Sequence, residues 1–253
     1  MEISTYILTK NSEKYLSKVV ESIYSFSDEI IVVDDCSNDK TIAICGNYKK
    51  VSVYQRLWGE NESEHRNYAI GLCRCEWIFN IDSDEIASQA LIRELDALKQ
   101  ILPTTGYEAF TVKRKNYFLG KWLRFGSEWP DRVTRLLKKK YRWTKYIHPV
   151  LAEEIPSKKI CNLEGWLDHY TDDSIGHWLA KCNMYTYREA KMMYEKGERF
   201  TLLGMFLAPI RYLIINYIMR LGFLGGINSL IWYLLGFIYN IMIYIQLFSL
   251  TRE

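Results

Sequence analysis

The stretch Trp77-Ile78-Phe79-Asn80-Ile81-Asp82-Ser83-Asp84-Glu85 is an apolar run that stops abruptly on carboxylates. Its first five residues read as a buried strand. In an open α/β sheet, ligands bind outside the carboxyl ends of the strands, where Asp82 and Asp84 fall. Two Asp residues one apart at a strand end offer oxygen ligands to one hard cation. Mg²⁺ or Mn²⁺ held there would bridge the phosphates of a nucleotide. A D-x-D is short, and it also reads as a solvated acidic turn ahead of a helix capped by Ser88 and starting at Gln89.

The neighbouring segments extend this pattern. Ile3 to Leu8 is a first strand, followed by the polar loop Thr9-Lys10-Asn11-Ser12 and a helix carrying Leu16, Val19, Val20 and Ile23, with Ser12 as its N-cap. Glu29 to Val33 is a second strand ending at Asp34-Asp35, after which Asp39 caps a short helix through Ile44. Val51 to Tyr54 is a third strand, Glu64 to Leu72 a helix, and Glu76 to Ile81 the fourth strand. Strands alternating with helices predict a parallel, doubly wound sheet. Three polar clusters then fall at strand ends: Thr9 to Asn11, Asp34-Asp35, and Asp82 to Glu85.

From about Gly106 the alternation gives way to an aromatic and Arg-rich segment with antiparallel character, beginning with a strand over Tyr107 to Val112. Ser174 to Lys196 is helical. Residues 222 to 250 carry no charge, and Leu202 to Leu221 is apolar but for Arg211 and Arg220. Gly225-Gly226 breaks the start of the uncharged run, and Ser229, Tyr233, Gly236, Asn240 and Tyr244 give it a polar stripe. This predicts helices lying in a membrane interface rather than clean spans.

Composition narrows the class. The chain has 253 residues, 49% of them hydrophobic, enough for a sizeable core. Its net charge of +3 is too small to argue for nucleic acid, which is not expected as a partner, although Lys138, Lys139, Lys140, Arg142 and Lys145 cluster. Scattered Cys residues without zinc spacing read as reduced thiols. The N-terminus runs straight into a strand pattern, without the features of a signal peptide.

These residues resemble the inverting GT-A glycosyltransferases of family 2, and among them the small bacterial group that adds sugars to the lipopolysaccharide core. The resemblance rests on Thr9-Lys10-Asn11, on Val32-Val33-Asp34-Asp35-Cys36-Ser37-Asn38-Asp39-Lys40-Thr41, on Glu64-His65-Arg66-Asn67-Tyr68-Ala69, and on Ile81 to Glu85. Trp129-Pro130-Asp131 to Arg135-Leu136 and Tyr146-Ile147-His148 also fit. Ser83 and Pro149 depart from the group, which tends to have Ala and Glu there. The fold implied is α/β: a GT-A type doubly wound, mostly parallel sheet over residues 1–199, with nucleotide-sugar half 1–105 and acceptor half 106–199. A C-terminal helical membrane-associating extension follows over 200–253.

The resemblance also implies roles. A nucleotide-sugar donor, by preference a UDP-sugar, would be seated by Thr9, Asn11, Asp34, Asp35, Arg66 and Asp82. Arg66 suits uracil oxygens or a phosphate, and it could equally pair with Glu62 or Glu64. Asp84 would ligate Mn²⁺ or Mg²⁺ directly, with Asp82 on the ribose or a metal-bound water. His169 would complete the metal shell, or serve as a structural histidine. Asp131 matches the position of the catalytic base, with Glu128 as competitor; flanking Arg132 and Arg135 leave a structural ion pair open. Trp122 and Trp129 suit sugar faces or core packing. The acceptor would be a glycan or lipid-linked glycan, and the enzyme would sit at the cytoplasmic face of the inner membrane, peripheral or monotopic. Two other classes compete. A nucleotidyltransferase would want a Gly-rich phosphate loop after the first strand, and Thr9 to Glu13 has no Gly. A non-catalytic membrane-anchored sugar-nucleotide binding module would bind without turnover.

Overall fold

The computed structural model describes residues 1–58, 62–144, 151–172 and 174–252. Lys145, Tyr146-Ile147-His148 and Pro149 therefore lie outside the described residues.

The first hundred residues alternate as expected: β1 (Ile3–Thr9), α1 (Leu16–Ile23), β2 (Glu29–Asp34), α2 (Thr41–Cys45), β3 (Val51–Gln55), α3 (Glu62–Leu72), β4 (Trp77–Asp82), β5 (Glu85–Ala87) and α4 (Gln89–Ile101). Strands β3, β2, β1 and β4 pair in parallel in that order. Their side chains alternate between two buried faces, which is why the strands read as nearly continuous apolar runs. Ile3, Ile7, Val32, Trp77 and Phe79 point to the face covered by α1 and α4, through Val19, Ile23, Leu91 and Leu95. Tyr6, Leu8, Ile31, Val33 and Ile78 point to the face covered by Ala69 and Ile70 of α3. Helices on both faces make the sheet doubly wound.

The helix starts follow the local chemistry. Ser88 Oγ accepts from the Leu91 amide at 3.2 Å and caps α4. Asp39 accepts from the Thr41 amide at 2.9 Å and holds the start of α2. Ser12 behaves differently from its predicted capping role. Its carbonyl, not its hydroxyl, accepts from Tyr15 and Leu16, and its hydroxyl lies 2.9 Å from that of Ser83.

The sheet continues with β6 (Ala109–Phe118), β7 (Lys121–Trp122), β8 (Asp131–Lys138) and β9 (Ile160–Asp172). The described strands form one nine-stranded sheet in the order β3-β2-β1-β4-β8-β6-β9-β5, with β7 on β6. β8 enters antiparallel to β4, and β9 pairs antiparallel with β5. The sheet is thus mixed: a parallel half carries the strand-end clusters, and an antiparallel half follows. β5 follows β4 after two residues in sequence yet stands at the end of the strand order, with β8, β6 and β9 between them.

Two compact units divide the chain: residues 1–114 with 132–169, and residues 115–131 with 170–253. The second contains α5 (Ile175–Glu195), α6 (Leu202–Leu213), a π-turn at Ile214–Met219 and α7 (Gly226–Arg252). Within it, α7 packs along both α5 and α6. Ser174 caps α5 by accepting from the His177 amide at 3.1 Å. Segments Leu202–Met219 and Gly222–Arg252 are long and apolar enough to cross a membrane by length and composition. They are poorly buried: Leu203, Phe206, Ile210, Ile214 and Ile218 are all more than two-fifths exposed along one edge of α6 and its π-turn.

All six cysteines are free. Burial pushes the Cys45 and Cys73 thiols up to about 11 and about 12, so both are inert thiols. The basic cluster after β8 is tied down locally: Lys138 and Lys140 pair with Glu76 and Glu108, and Arg142 turns back onto main-chain carbonyls.

Candidate active site

Parallel registers bring the predicted clusters together. Thr9 is the partner of Asp34 across β1 and β2, and Leu8 is the partner of Asp82 across β1 and β4. Thr9, Asp34 and Asp82 therefore end three adjacent strands at their carboxyl edge.

Asp34 is fully enclosed. Ser37 donates to it twice, from its amide at 2.8 Å and its hydroxyl at 2.5 Å. These bonds shape the loop after β2, in which Cys36 takes a positive φ of 52°. Asn11, itself at φ 48°, locks the two loops together: its amide donates to Ser37 Oγ at 2.8 Å and its side-chain oxygen accepts from the Asn38 amide at 2.9 Å. Asp35 pairs with Lys10 at 2.6 Å and accepts from the Trp58 amide at 2.5 Å. The hydroxyl of Thr9, buried at the strand end, has no hydrogen-bond partner among the described residues.

At the end of β4 the charges interlock. Arg66, one helical turn into α3, reaches Glu62 at 2.6 Å and Asp82 Oδ1 at 3.3 Å. The pairing with Glu62 is the expected alternative of an acidic neighbour on its own helix; the contact with Asp82 lies outside the sequence expectations. Arg135 of β8 donates to Asn80 Oδ1 and Asp82 Oδ2, at 2.8 and 2.7 Å, and to Glu85. Arg114 of β6 approaches Glu85 at 3.5 Å. Burial works to raise the pKa of Asp82, but Arg135, Arg66 and Arg114 hold it far below the usual carboxylate range. Glu85 shifts the other way: full burial and the charge of Asp82 push it up, against the pull of Arg135 and Arg114. A cleft of about 660 Å³ opens here, lined by Arg66, Asp82, Arg114, Arg135 and Trp143 among others.

The candidate metal ligands divide. Both oxygens of Asp82 are engaged by guanidinium groups. Asp84 instead faces His169, with Oδ1 and Nε2 3.6 Å apart. The sheet explains this meeting, because His169 is the register partner of Glu85 across β5 and β9. Burial lowers the pKa of His169, outweighing Asp84, and leaves the neutral imidazole that a cation can use. Two ligands of one cation on bonds of ~2.1 Å lie about 3 Å apart, near the observed separation. No group of three His, Cys, Asp or Glu residues is placed to hold a metal among the described residues. One carboxylate and one imidazole are a fit for a cation that takes its remaining ligands from substrate phosphates and water.

The base candidates belong to the second compact unit. Asn116, itself buried, donates from Nδ2 to Asp131 Oδ2 at 3.2 Å and to the Glu128 carbonyl at 3.3 Å. Glu128 Oε1 accepts from Ser127 Oγ at 2.8 Å. The flanking arginines bind elsewhere: Arg132 meets Glu164 at 3.7 Å, and Arg135 meets Asp82 and Glu85. Trp122 and Trp129 pack edge to face with ring centres 5.3 Å apart.

Asn80 and Arg114 belong to this site although the sequence pattern gives them no role; Glu85 is read from sequence only as part of the strand-end cluster, and Arg135 only as an ion-pair candidate beside Asp131. One signal was available. Asn80 is a polar residue inside an apolar strand, and a buried amide requires partners.

The sequence profile described as Glycosyl transferase family 2 matches residues 4–152. The chain belongs to glycosyl transferase family 2. Among curated relatives, an uncharacterized glycosyltransferase of Rickettsia typhi is 26% identical over 242 residues, covering 91% of this chain and 82% of the relative. The lipopolysaccharide core biosynthesis glycosyltransferase LpsC of Rhizobium meliloti is also 26% identical over 242 residues, covering 91% and 87%. Among solved structures, Staphylococcus aureus TarS in complex with UDP-GlcNAc superposes with a TM-score of 0.52 at 16% identity, covering 95% of this chain and 82% of that one. Glucosyl-3-phosphoglycerate synthase of Mycobacterium tuberculosis, in complex with Mn²⁺ and UDP, gives 0.50 at 17%, covering 79% and 81%. The fold is that of the GT-A glycosyltransferases, and the family 2 member described here is a glycosyltransferase.

Proposed function

We propose that this glycosyltransferase is metal-dependent and inverting, and that it moves a sugar from a UDP-sugar to a glycan or lipid-linked acceptor in lipopolysaccharide core synthesis. The observation that carries the reading is the end of β4. There a carboxylate–imidazole pair, Asp84 and His169, adjoins a guanidinium cluster on Asp82. The names of LpsC and of the TarS complex support the acceptor class and the donor class respectively.

In this reading Asn11 and Asp35 line the nucleotide seat, and Thr9 and Asp34 shape it from beneath. Arg66 addresses uracil or phosphate oxygens through donors that stay charged at any working pH. Asp82, kept ionised by its arginines, accepts from ribose hydroxyls. Asp84 and His169 would hold Mn²⁺ or Mg²⁺, which when bound would offset the charge that develops on the leaving diphosphate. Asp131 takes the proton from the acceptor hydroxyl as that oxygen attacks the anomeric carbon opposite the departing phosphate, which inverts the centre. The bond from Asn116 fixes the direction of that carboxylate. Glu128 is the second candidate for the base.

The exposed apolar edge of α6 and the uncharged run 222–250 support a reading in which these helices lie in the plane of a membrane surface, with Arg211 and Arg220 at the headgroup level. In this reading the face is the cytoplasmic side of the inner membrane.

A thermal-shift panel of UDP-, GDP-, CMP- and dTDP-sugars, with Mn²⁺ or with chelator, tests this proposal. Stabilisation by a uridine nucleotide that needs Mn²⁺, followed by metal-dependent turnover of that donor, is expected. Stabilisation that is indifferent to chelation would overturn the metal assignment, and no response to any nucleotide would overturn the donor class.

A further inference from the structure

Tyr233 lies about two turns into α7 in an otherwise apolar stretch and is fully buried. A hydroxyl there is costly unless it is hydrogen-bonded. Both of its bonds go to one loop: it accepts from the Ser127 amide at 3.0 Å and donates to the Phe125 carbonyl at 3.3 Å. The residue between them, Gly126, sits at φ +88° and donates to the Arg220 carbonyl at 3.1 Å. A Cβ on Gly126 would lie 1.7 Å from the Tyr233 hydroxyl, so the loop closes directly onto the phenol. The ring is seated as tightly: a Cβ on Gly222 would lie 2.6 Å from Tyr233 Cε2. Ser229, one turn earlier on α7, donates to the Gly222 carbonyl at 2.6 Å and holds that turn.

The loop held in this way leads straight to the carboxylates. Ser127 contacts Glu128, and Asn116 pins Glu128 and Asp131 from the other side. We propose that Tyr233 is a positioning residue: it ties the Phe125–Ser127 segment to α7 and so sets the placement of the Glu128–Asp131 loop. This rests on the reading of that loop as the source of the catalytic base. It also gives one helix two tasks, because the element proposed to meet lipid also holds the segment that meets the acceptor.

The test is Tyr233→Phe in the full chain, with the UDP-sugar and Mn²⁺ pair that gives turnover. The substitution keeps the ring and removes both loop bonds. Turnover should fall roughly 10- to 100-fold, the scale of an ångström-level misplacement, while KM for the donor and the UDP-induced thermal shift stay at wild-type values. Asp131→Asn and Glu128→Gln are measured alone, and the phenol variant is then combined with whichever of them is inactive. Because the two act through one loop, the double variant should lose no more than the carboxylate variant. If one carboxylate variant is inactive and Tyr233→Phe keeps wild-type turnover, or adds its full loss in the double variant, the tether is wrong and the base assignment stands. If both carboxylate variants turn over normally, the loop holds no base, and both claims fall.

Discussion

Glu85 and His169 are register partners across β5 and β9, and that pairing carries His169 to 3.6 Å from Asp84. The proposed metal pair is thus set by strand pairing rather than by sequence proximity. Asp84→Ala and His169→Ala should each weaken Mn²⁺ affinity by ~10- to 100-fold or more, since even outer-shell partners of metals matter on that scale. Isothermal titration of Mn²⁺ in the presence of UDP reads this, with the circular dichroism spectrum unchanged. Wild-type affinity in His169→Ala would remove the histidine from the site.

Arg135 is 4% exposed and faces Glu85, which is fully buried. Arg135→Met leaves that carboxylate without its main counter-charge. Breaking a buried pair from one side costs about 3–5 kcal/mol, so the urea midpoint should drop sharply. The double variant Arg135→Met with Glu85→Gln should recover part of the loss. A midpoint within error of wild type for Arg135→Met would show that Glu85 is solvated or neutral in solution.

Glu108 is held by Lys140 at 2.8 Å, by Lys159 at 2.6 Å and by Tyr141, and these contacts pull its carboxyl down to about 2. A carboxylate depressed in the folded state stabilises the protein above its unfolded pKa of about 4.5, and that contribution fades as pH falls toward 2. Glu108→Gln should therefore melt below wild type at pH 7, with the gap closing between pH 5 and pH 2. Both lysines are half-exposed, so salt should shrink the gap as well. A gap independent of pH would mean that the glutamate acts through packing.

Phe206, Ile210 and Ile214 are 58%, 45% and 45% exposed on one edge of α6 and its π-turn. Replacing Phe206 and Ile210 with Glu removes apolar side chains worth roughly 1.5–3 kcal/mol each when fully buried. It should release the chain from anionic vesicles in a sedimentation assay while thermal stability holds. Unchanged co-sedimentation would exclude this edge from lipid contact. Point changes suit this question better than removal of residues 200–253, because α7 is part of the core around α5, where Tyr239 donates to Glu189 at 2.7 Å.

The parallel half of the fold was legible because its signals are local. Trp77 to Ile81 and Ile3 to Leu8 are buried on both faces, so burial writes itself into sequence as an unbroken apolar run. Strand-end carboxylates follow from the same reading. The guanidinium network was not legible, because Arg66, Arg114 and Arg135 lie on three elements spread over 69 residues of chain and meet only through sheet order. A neighbouring arginine predicts an ion pair poorly: Arg132 and Arg135 follow Asp131 closely and bind Glu164, Asp82 and Glu85 instead. Ser12 misleads for a related reason, since a side chain that can cap a helix can also cross to Ser83.

The antiparallel entry of β8 beside β4 has a consequence for engineering new specificities. A chimera that joined residues 1–105 of this chain to the later part of a relative would cut between Asp82 and Glu85 on one side and Arg114 and Arg135 on the other. The graft would then bury carboxylates against foreign side chains. The two stretches of chain can be recombined in this scaffold only if those four residues travel as a set, so the transferable module is a charge-matched sheet seam rather than a stretch of sequence.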